Sequence, residues 1–277
     1  MTDLDIDHLR QWIGREETKS ELLTPAAVDR FNATFDFTGE PRDGDAAPVM
    51  IHLCLAPPAA PTAQLGPDGH PARGGFLPPV PLPRRMWAGG SFAFTGDIRV
   101  GETVTRRSTI RDVSVKHGRT GTLCFVIVDH RIDSNGREAV RERQDIVYRG
   151  TDSAPAKPAE PAPYGAHRRR VEPSAALLFR YSSLTFNGHR IHYDAPYVRD
   201  VEGYPGLIVH GPLQATLLVQ FAEKLRGRRP ALFEFRSLSP LFDDADFTLN
   251  AAEDGEALSL WTSYADGPVA MQGRATW

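Results

Sequence analysis

The chain is short of cysteine, of net charge and of long apolar runs, and each shortage removes a class of function. Two cysteines in 277 residues, Cys54 and Cys124, cannot build a disulfide framework. Neither sits in a Cys-x-x-Cys or histidine-rich context for zinc, so both are expected to be small buried hydrophobes in a reducing compartment. Lys and Arg number 32 against 35 Asp and Glu, a formal charge of −3, without the basic excess or stripe of a nucleic-acid binder. The apolar runs all fall short of the roughly 18 to 20 residues that cross a bilayer, so no membrane partner is expected. The start, MTDLDIDHLRQW, has three aspartates in its first seven residues and no basic flank before an apolar stretch. It reads as neither secretory signal nor transit peptide, which makes the cytoplasm the expected location. What is present, 41% hydrophobic and 24% charged residues, supports a sizeable core in one large or two medium domains.

Residues 1–36 read as helical. Ile6, Leu9 and Ile13 recur at helical spacing, Gly14 stops that run, and Thr24 with Pro25 marks a second helix start. Eleven prolines between 41 and 83 exclude a continuous helix there, and a loop of that length is either a functional lid or disordered. After Gly101, the runs TVTRRSTIRDVSVK, TLCFVIVDHRI and EAVRERQDIVYR read as an antiparallel meander, with HGRTG and DSNG as turns. Residues 151–173 hold five prolines and read as a linker between a half at 1–150 and a half at 174–277. The second half opens with LLFRYSSLTF, an apolar strand or turn, and passes through NGHRIHYD into the helix PLQATLLVQFAEKL. Strand-like pieces LFEFRSL, DFTLNAAE, ALSLWTSY and VAMQGRATW follow. The same rhythm closes both halves, which predicts an α+β fold of two antiparallel sheets, each wrapped on one helix.

Of nine histidines, most are isolated and expected to be surface or satisfied groups. The stretch 187–211 differs, gathering Asn187, His189, His192, Asp194, His210 and Gly211. His189, His192 and Asp194 precede the helix and lack a matching run of acidic ligands, so no metal is expected. Ser182 and Ser183 lie near His192, but no Gly-x-Ser-x-Gly elbow supports a serine nucleophile. Acid–base work by an imidazole beside an amide fits better. The Gly211 N–H stands at the positive end of the helix, where a thioester oxygen could collect charge. The plainer alternative is that Gly211-Pro212 only starts a helix and His192 is a hydrogen-bonded strand residue.

YSSLTFNGHRIHYD (181–194) followed by VHGPLQATLL (209–218) resembles the hydratase motif of the MaoC-like hot-dog family, in particular its branch of type 2 hydroxyacyl-thioester dehydratases and mesaconyl-C4-CoA hydratases. The wider motif reads Asp-x-Asn-Pro-(Ile/Leu)-His, then His-Gly. His192 falls on its histidine, Gly211 on its oxyanion glycine, and Asn187 on the position usually held by aspartate. His189 and Arg190 also depart from the wider motif. MWAGGSFAF (86–94) and RQDIVYR (143–149) extend the resemblance over most of the chain. It implies a double hot dog with its chemistry in the second half, acting on an acyl-CoA or acyl carrier protein thioester, with no cofactor and a possible homodimer.

The resemblance further implies that His192 is the general base, that Asn187 orients water or substrate, and that Gly211 forms the oxyanion hole. Tyr181 and His210 would contact substrate. Asp194 would either orient His192 or cap the next turn. Arg84 and Arg85 could pair with a free substrate carboxylate or CoA phosphates. A short branched dicarboxyl enoyl-CoA such as mesaconyl-C4-CoA or itaconyl-CoA is the favoured substrate, with dehydration in fatty-acid metabolism as the alternative. A hot-dog thioesterase and a non-catalytic acyl-CoA binder are the other classes.

Overall fold

In the computed structural model, residues 4–118, 121–150 and 160–277 are described. Helix α1 (Ile6–Arg10) is one short turn capped by Asp5. The chain then departs from the expected all-helical start, because Glu16–Leu22 forms strand β1 against residues 103–109. EETKSEL is mostly exposed, so it carries no apolar face for a periodicity argument to detect. Its charges suit the sheet edge it occupies. Helix α2 (Pro25–Phe35) starts as expected, with the Thr24 hydroxyl accepting from the Ala27 N–H, and buries Val28, Phe31 and Phe35.

Strand β2 (Arg84–Phe94) leads into the expected meander of β3 (Thr103–Gly118), β4 (Gly121–Ser134) and β5 (Arg137–Arg149). The β4–β5 turn places Asn135 and Gly136 at φ 44° and 78°, the pair of left-handed conformations that Asn-Gly favours in a two-residue hairpin. The turn expected at HGRTG includes residues 119 and 120, which lie outside the described residues, as do 151–159 of the expected linker. The rest of that linker is not all loop. His167–Val171 forms strand β6 against residues 247–251.

LLFRYSSLTF is neither strand nor turn but helix α3 (Ala175–Leu184), capped by Ser174 and burying Leu178, Tyr181 and Ser182. Helices α4 (Ala195–Asp200) and α5 (Gly211–Arg226) follow, then strands β7 (Leu232–Ser237), β8 (Phe247–Asp254), β9 (Ala257–Tyr264) and β10 (Val269–Thr276). The ten strands among the described residues form one sheet in the order β1-β3-β4-β5-β2-β7-β10-β9-β8-β6. Read outward from the β2–β7 seam, the two halves have the same strand order. Each runs strand, helical segment, strand and three-stranded meander, which is the double hot dog implied above.

Helix α5 is buried from Leu213 to Ala222 and packs against β8, β9 and β10. Its core is continuous with that of α2, Phe92, Phe94, Ile132 and Val140. The two halves therefore share one interior as well as one sheet. Both cysteines are free, and burial pushes the Cys54 thiol up to about 12 and that of Cys124 to about 11. Neither is a poised nucleophile. Among the described residues no helix is long and apolar enough to cross a membrane.

Candidate active site

The histidine-rich stretch connects helix to helix, rather than strand to helix as expected. At the end of α3, Phe186 takes a left-handed φ of 49°, and the Asn187 side-chain oxygen accepts the His189 N–H at 3.0 Å. This tight turn delivers Arg190–His192 as a 3₁₀ turn. His192 is buried, and its Nδ1 lies 2.7 Å from the Ile208 carbonyl oxygen. A carbonyl only accepts, so Nδ1 carries the proton and Nε2 is left with a lone pair. Burial lowers the His192 pKa to about 4. At neutral pH the ring is an unprotonated base with a fixed tautomer, the form a general base requires.

His192 belongs to a file of imidazoles. Its ring stacks on His210 at 3.6 Å between centroids and 18° between planes. On the other side His189 stands edge-on at 5.5 Å, and His70 lies 4.1 Å beyond His189. His210 is fully buried, with Nε2 2.8 Å from the Ser182 hydroxyl. Burial also holds His189 and His210 well below the usual histidine range and brings His70 to about 4. Four neutral rings can pack this closely because none carries charge. His210 is also the residue before Gly211, so the stacked pair sits at the start of α5. There the first-turn N–H groups have no intrahelical acceptor and Pro212 has no N–H. A Cβ at residue 211 would lie 3.3 Å from Trp87 Cε3, so glycine lets the indole of β2 close against the helix start.

His70 comes from the proline-rich loop, and the sequence reading missed it. In a turn where Gly66 N–H bonds to the His70 carbonyl, Asp68 Oδ2 lies 3.1 Å from His70 Nδ1 and Asp68 Oδ1 accepts the His70 backbone N–H. Burial of Asp68 would raise its pKa, but the hydrogen bonds it accepts from His70 outweigh this and hold the carboxyl below its usual range. The turn is locked to the histidine stretch. Arg190 N–H donates to the Asp68 carbonyl at 2.9 Å and its guanidinium to that of Pro67. Gly69 has φ +85°, and a Cβ there would fall 1.9 Å from the Gly188 oxygen. Asp68, His70 and His189 bring donor atoms within 4.8 Å of one another. The guanidiniums of Arg85 and Arg73 beside His70 oppose a cation there, and the Asp68 carboxylate is already engaged by His70.

The remaining expected residues separate. Asp194 does not orient His192: one oxygen caps α4 through the Tyr197 N–H and the other pairs with Arg190. Arg84 is taken by Glu202, through both its carbonyl and its carboxylate, and lies over the Tyr204 ring. The charge of Arg85 helps to lower the pKa of His70 and of His189, and its side chain also hydrogen-bonds its cross-strand partner Tyr148. Among the described residues, the ion pair at this corner is that of Arg84, with none at Arg85. Tyr181 is fully buried with its ring edge-on to His210, and its hydroxyl lies 3.4 Å from that of Thr216. A groove of about 580 Å³ on β7, β9 and β10, lined by Arg236, Trp261 and Arg274, shares no residue with this site.

These elements suit proton transfer to and from a carbon skeleton whose carbonyl meets a helix start. Residues 50–243 match the family described as hydroxyacyl-thioester dehydratase type 2. The chain is 43% identical over 264 residues to the mesaconyl-C(4)-CoA hydratase of Chloroflexus aurantiacus, with 94% of each chain covered. A MaoC-like dehydratase from Phytophthora capsici superposes with a TM-score of 0.71 at 15% identity, over 99% of both chains. A Mycobacterium tuberculosis protein described as a double hot dog gives 0.53 at 15%, over 95% of both. The tautomer-fixed His192, its place beside the Gly211 helix start and the matched span of sequence agree, and the chain belongs to the hydroxyacyl-thioester dehydratase type 2 family.

Proposed function

We propose that this protein is a hydro-lyase that adds water to the double bond of a short, branched dicarboxyl enoyl-CoA, with mesaconyl-C4-CoA as the favoured substrate and itaconyl-CoA a close variant. His192 Nε2 takes a proton from water as the oxygen bonds to the β carbon. The π electrons move toward the thioester, whose oxygen is met by the Gly211 N–H, and the proton then goes to the α carbon. A neutral base in a buried site is effective because charge appears only as the reaction proceeds. Asn187 holds the turn that aims His192, and its amide nitrogen, without a partner among the described residues, is available to orient water.

Arg85 supports the dicarboxyl reading. It is a guanidinium without a protein carboxylate partner among the described residues, set beside the catalytic imidazoles. An arginine in that position forms charge-assisted bonds with a carboxylate carried close to the reacting carbon. The identity over nearly the full length to a mesaconyl-C(4)-CoA hydratase is the observation that carries the proposal. The family description itself keeps 3-hydroxyacyl-thioester dehydration as the second reading, with acyl carrier protein as an alternative carrier. A homodimer in the cytoplasm is the proposed working form.

Incubation with mesaconyl-C4-CoA and crotonyl-CoA, following enoyl-thioester absorbance and free thiol together, tests the reading. Loss of absorbance without thiol supports a hydratase. Thiol release identifies a thioesterase, and neither signal leaves an acyl-CoA binder. Faster turnover of crotonyl-CoA and long-chain enoyl-CoAs than of the dicarboxyl substrate favours the fatty-acid alternative.

A further inference from the structure

Taking a proton from water leaves a charged imidazolium in a site built for neutral rings. A cation there is expensive unless a fixed anion compensates it. Residue 187, in the turn that carries His192, is an uncharged asparagine. The two oxygens of Asp194 are spent on Arg190 and on capping α4. The carboxylate that faces the imidazoles comes from 124 residues upstream of His192 in sequence. Asp68 reaches His70 with both oxygens and acts electrostatically on His189 as well, and His189 touches His192 edge-on. The other charged neighbours, Arg85 and Arg73, are cations and disfavour an imidazolium. Arg73 is held by the carbonyls of Val80, Leu82 and Pro83, which keeps it in place next to the same turn.

We propose that Asp68, acting through His70, is the positioning carboxylate of this active site. It fixes the His70 ring against His189 and compensates the positive charge that His192 takes on during turnover. This inference rests on the hydratase reading above. The proline-rich loop is then a working part of the site rather than a cover over it. The Gly69–Gly188 contact and the Arg190 bonds to the Pro67 and Asp68 carbonyls tie the carboxylate's turn to the segment that carries His189 and His192. The assignment also accounts for His70 Nδ1 facing Asp68, which turns Nε2 away from the carboxylate.

The test compares Asp68→Asn, Asp68→Glu and Asp68→Ala with the parent on mesaconyl-C4-CoA, together with their melting temperatures. Loss of one charge-assisted contact predicts a kcat roughly 10- to 100-fold lower in Asp68→Asn. KM should stay within about twofold, since the charge is needed in the transition state and not for binding. Asp68→Glu should regain part of the loss. In Asp68→Ala, added formate should raise the rate in a saturable way that equal chloride does not reproduce. A purely structural Asp68 would lower the melting temperature and give a loss that formate leaves unchanged, and that result overturns the proposal. Parental kcat in Asp68→Asn also overturns it while leaving the hydratase reading intact. A parent that leaves enoyl absorbance unchanged removes both.

Discussion

Acid should unfold this protein steeply between pH 7 and 5, and the buried histidines set the size of the effect. His70 and His192 are brought to about 4, and His52 and His130 to about 3, in each case mainly by burial. The direction follows from which state binds protons. Below pH 6.5 the unfolded chain protonates these rings while the folded chain does not, so stability falls as pH falls. One pH unit below 6.5 costs about 1.4 kcal/mol per histidine, or roughly 5 to 6 kcal/mol for four at pH 5.5 relative to pH 8. Glu142 opposes this, since burial raises its carboxyl to about 7 and the folded state holds that proton over the same range, returning about 2 kcal/mol. His189 and His210, also depressed by burial, add in the destabilising direction. A net loss of about 4 to 7 kcal/mol is a large part of a typical domain's stability and corresponds to a fall in Tm of roughly 10 to 25 °C. Circular dichroism melts at pH 8.0 and 5.5 and constant ionic strength measure it directly. A Tm that moves by less than about 3 °C would show that these rings are protonated or solvated in the folded state, and the neutral-base account of His192 would fall with it.

Three substitutions probe the site itself. His192→Ala should lower kcat by roughly 10² to 10⁴ in the enoyl-absorbance assay with the fold retained, and near-normal turnover would remove His192 from the mechanism. Arg85→Met should reduce kcat/KM for mesaconyl-C4-CoA roughly 10- to 100-fold while sparing crotonyl-CoA. Arg84→Met, which breaks the Glu202 contacts, should affect both substrates alike, and the reverse pattern would exchange the two roles. Gly69→Ala places a Cβ at φ +85° and 1.9 Å from the Gly188 oxygen. It should cost about 1 to 2 kcal/mol in backbone strain alone and separate the two loops, so activity should drop further than Tm. Unchanged kinetics would mean that the loops need not touch.

The parts of this fold that were legible in the sequence are those where burial imposes a period. The Val, Ile and Thr runs of β3, β4 and β5 and the apolar α5 behind Gly211-Pro212 fall where expected. Elements without an apolar face escaped. β1 is polar on both sides, and β6 is the basic HRRRV at the other sheet edge. LLFRYSSLTF has strand-like composition, but Ser174 supplies a cap and tertiary packing makes it helical. At the site, His192 and Gly211 could be found because they lie in one local motif. Asp68 and His70 could not, since they sit between glycines and prolines far from His189 in sequence. Their only local mark is a short Asp-x-His in a turn, and it gains meaning when Gly69 meets Gly188. The placement of Asp194 and Arg84 depended on competing partners, Arg190, the Tyr197 N–H and Glu202, that spacing alone does not rank.

The β2–β7 seam has a further consequence, for stoichiometry. Gly89–Ala93 pair antiparallel with Leu232–Arg236, as the edge strands of two equal subunits would across a two-fold axis. Here both partners belong to one chain, so nothing obliges the two halves to stay alike. Helix α5 begins at His210-Gly211-Pro212, preceded by its imidazoles, whereas α2 begins at Thr24-Pro25 with an ordinary hydroxyl cap. In the proposed site, the first half supplies the Asp68–His70 turn beside His189 and Trp87 beside Gly211. On that proposal, the two units of one chain share a single site instead of carrying one each. A tight-binding enoyl-thioester analogue should accordingly titrate one site per chain, not one per sheet-and-helix unit.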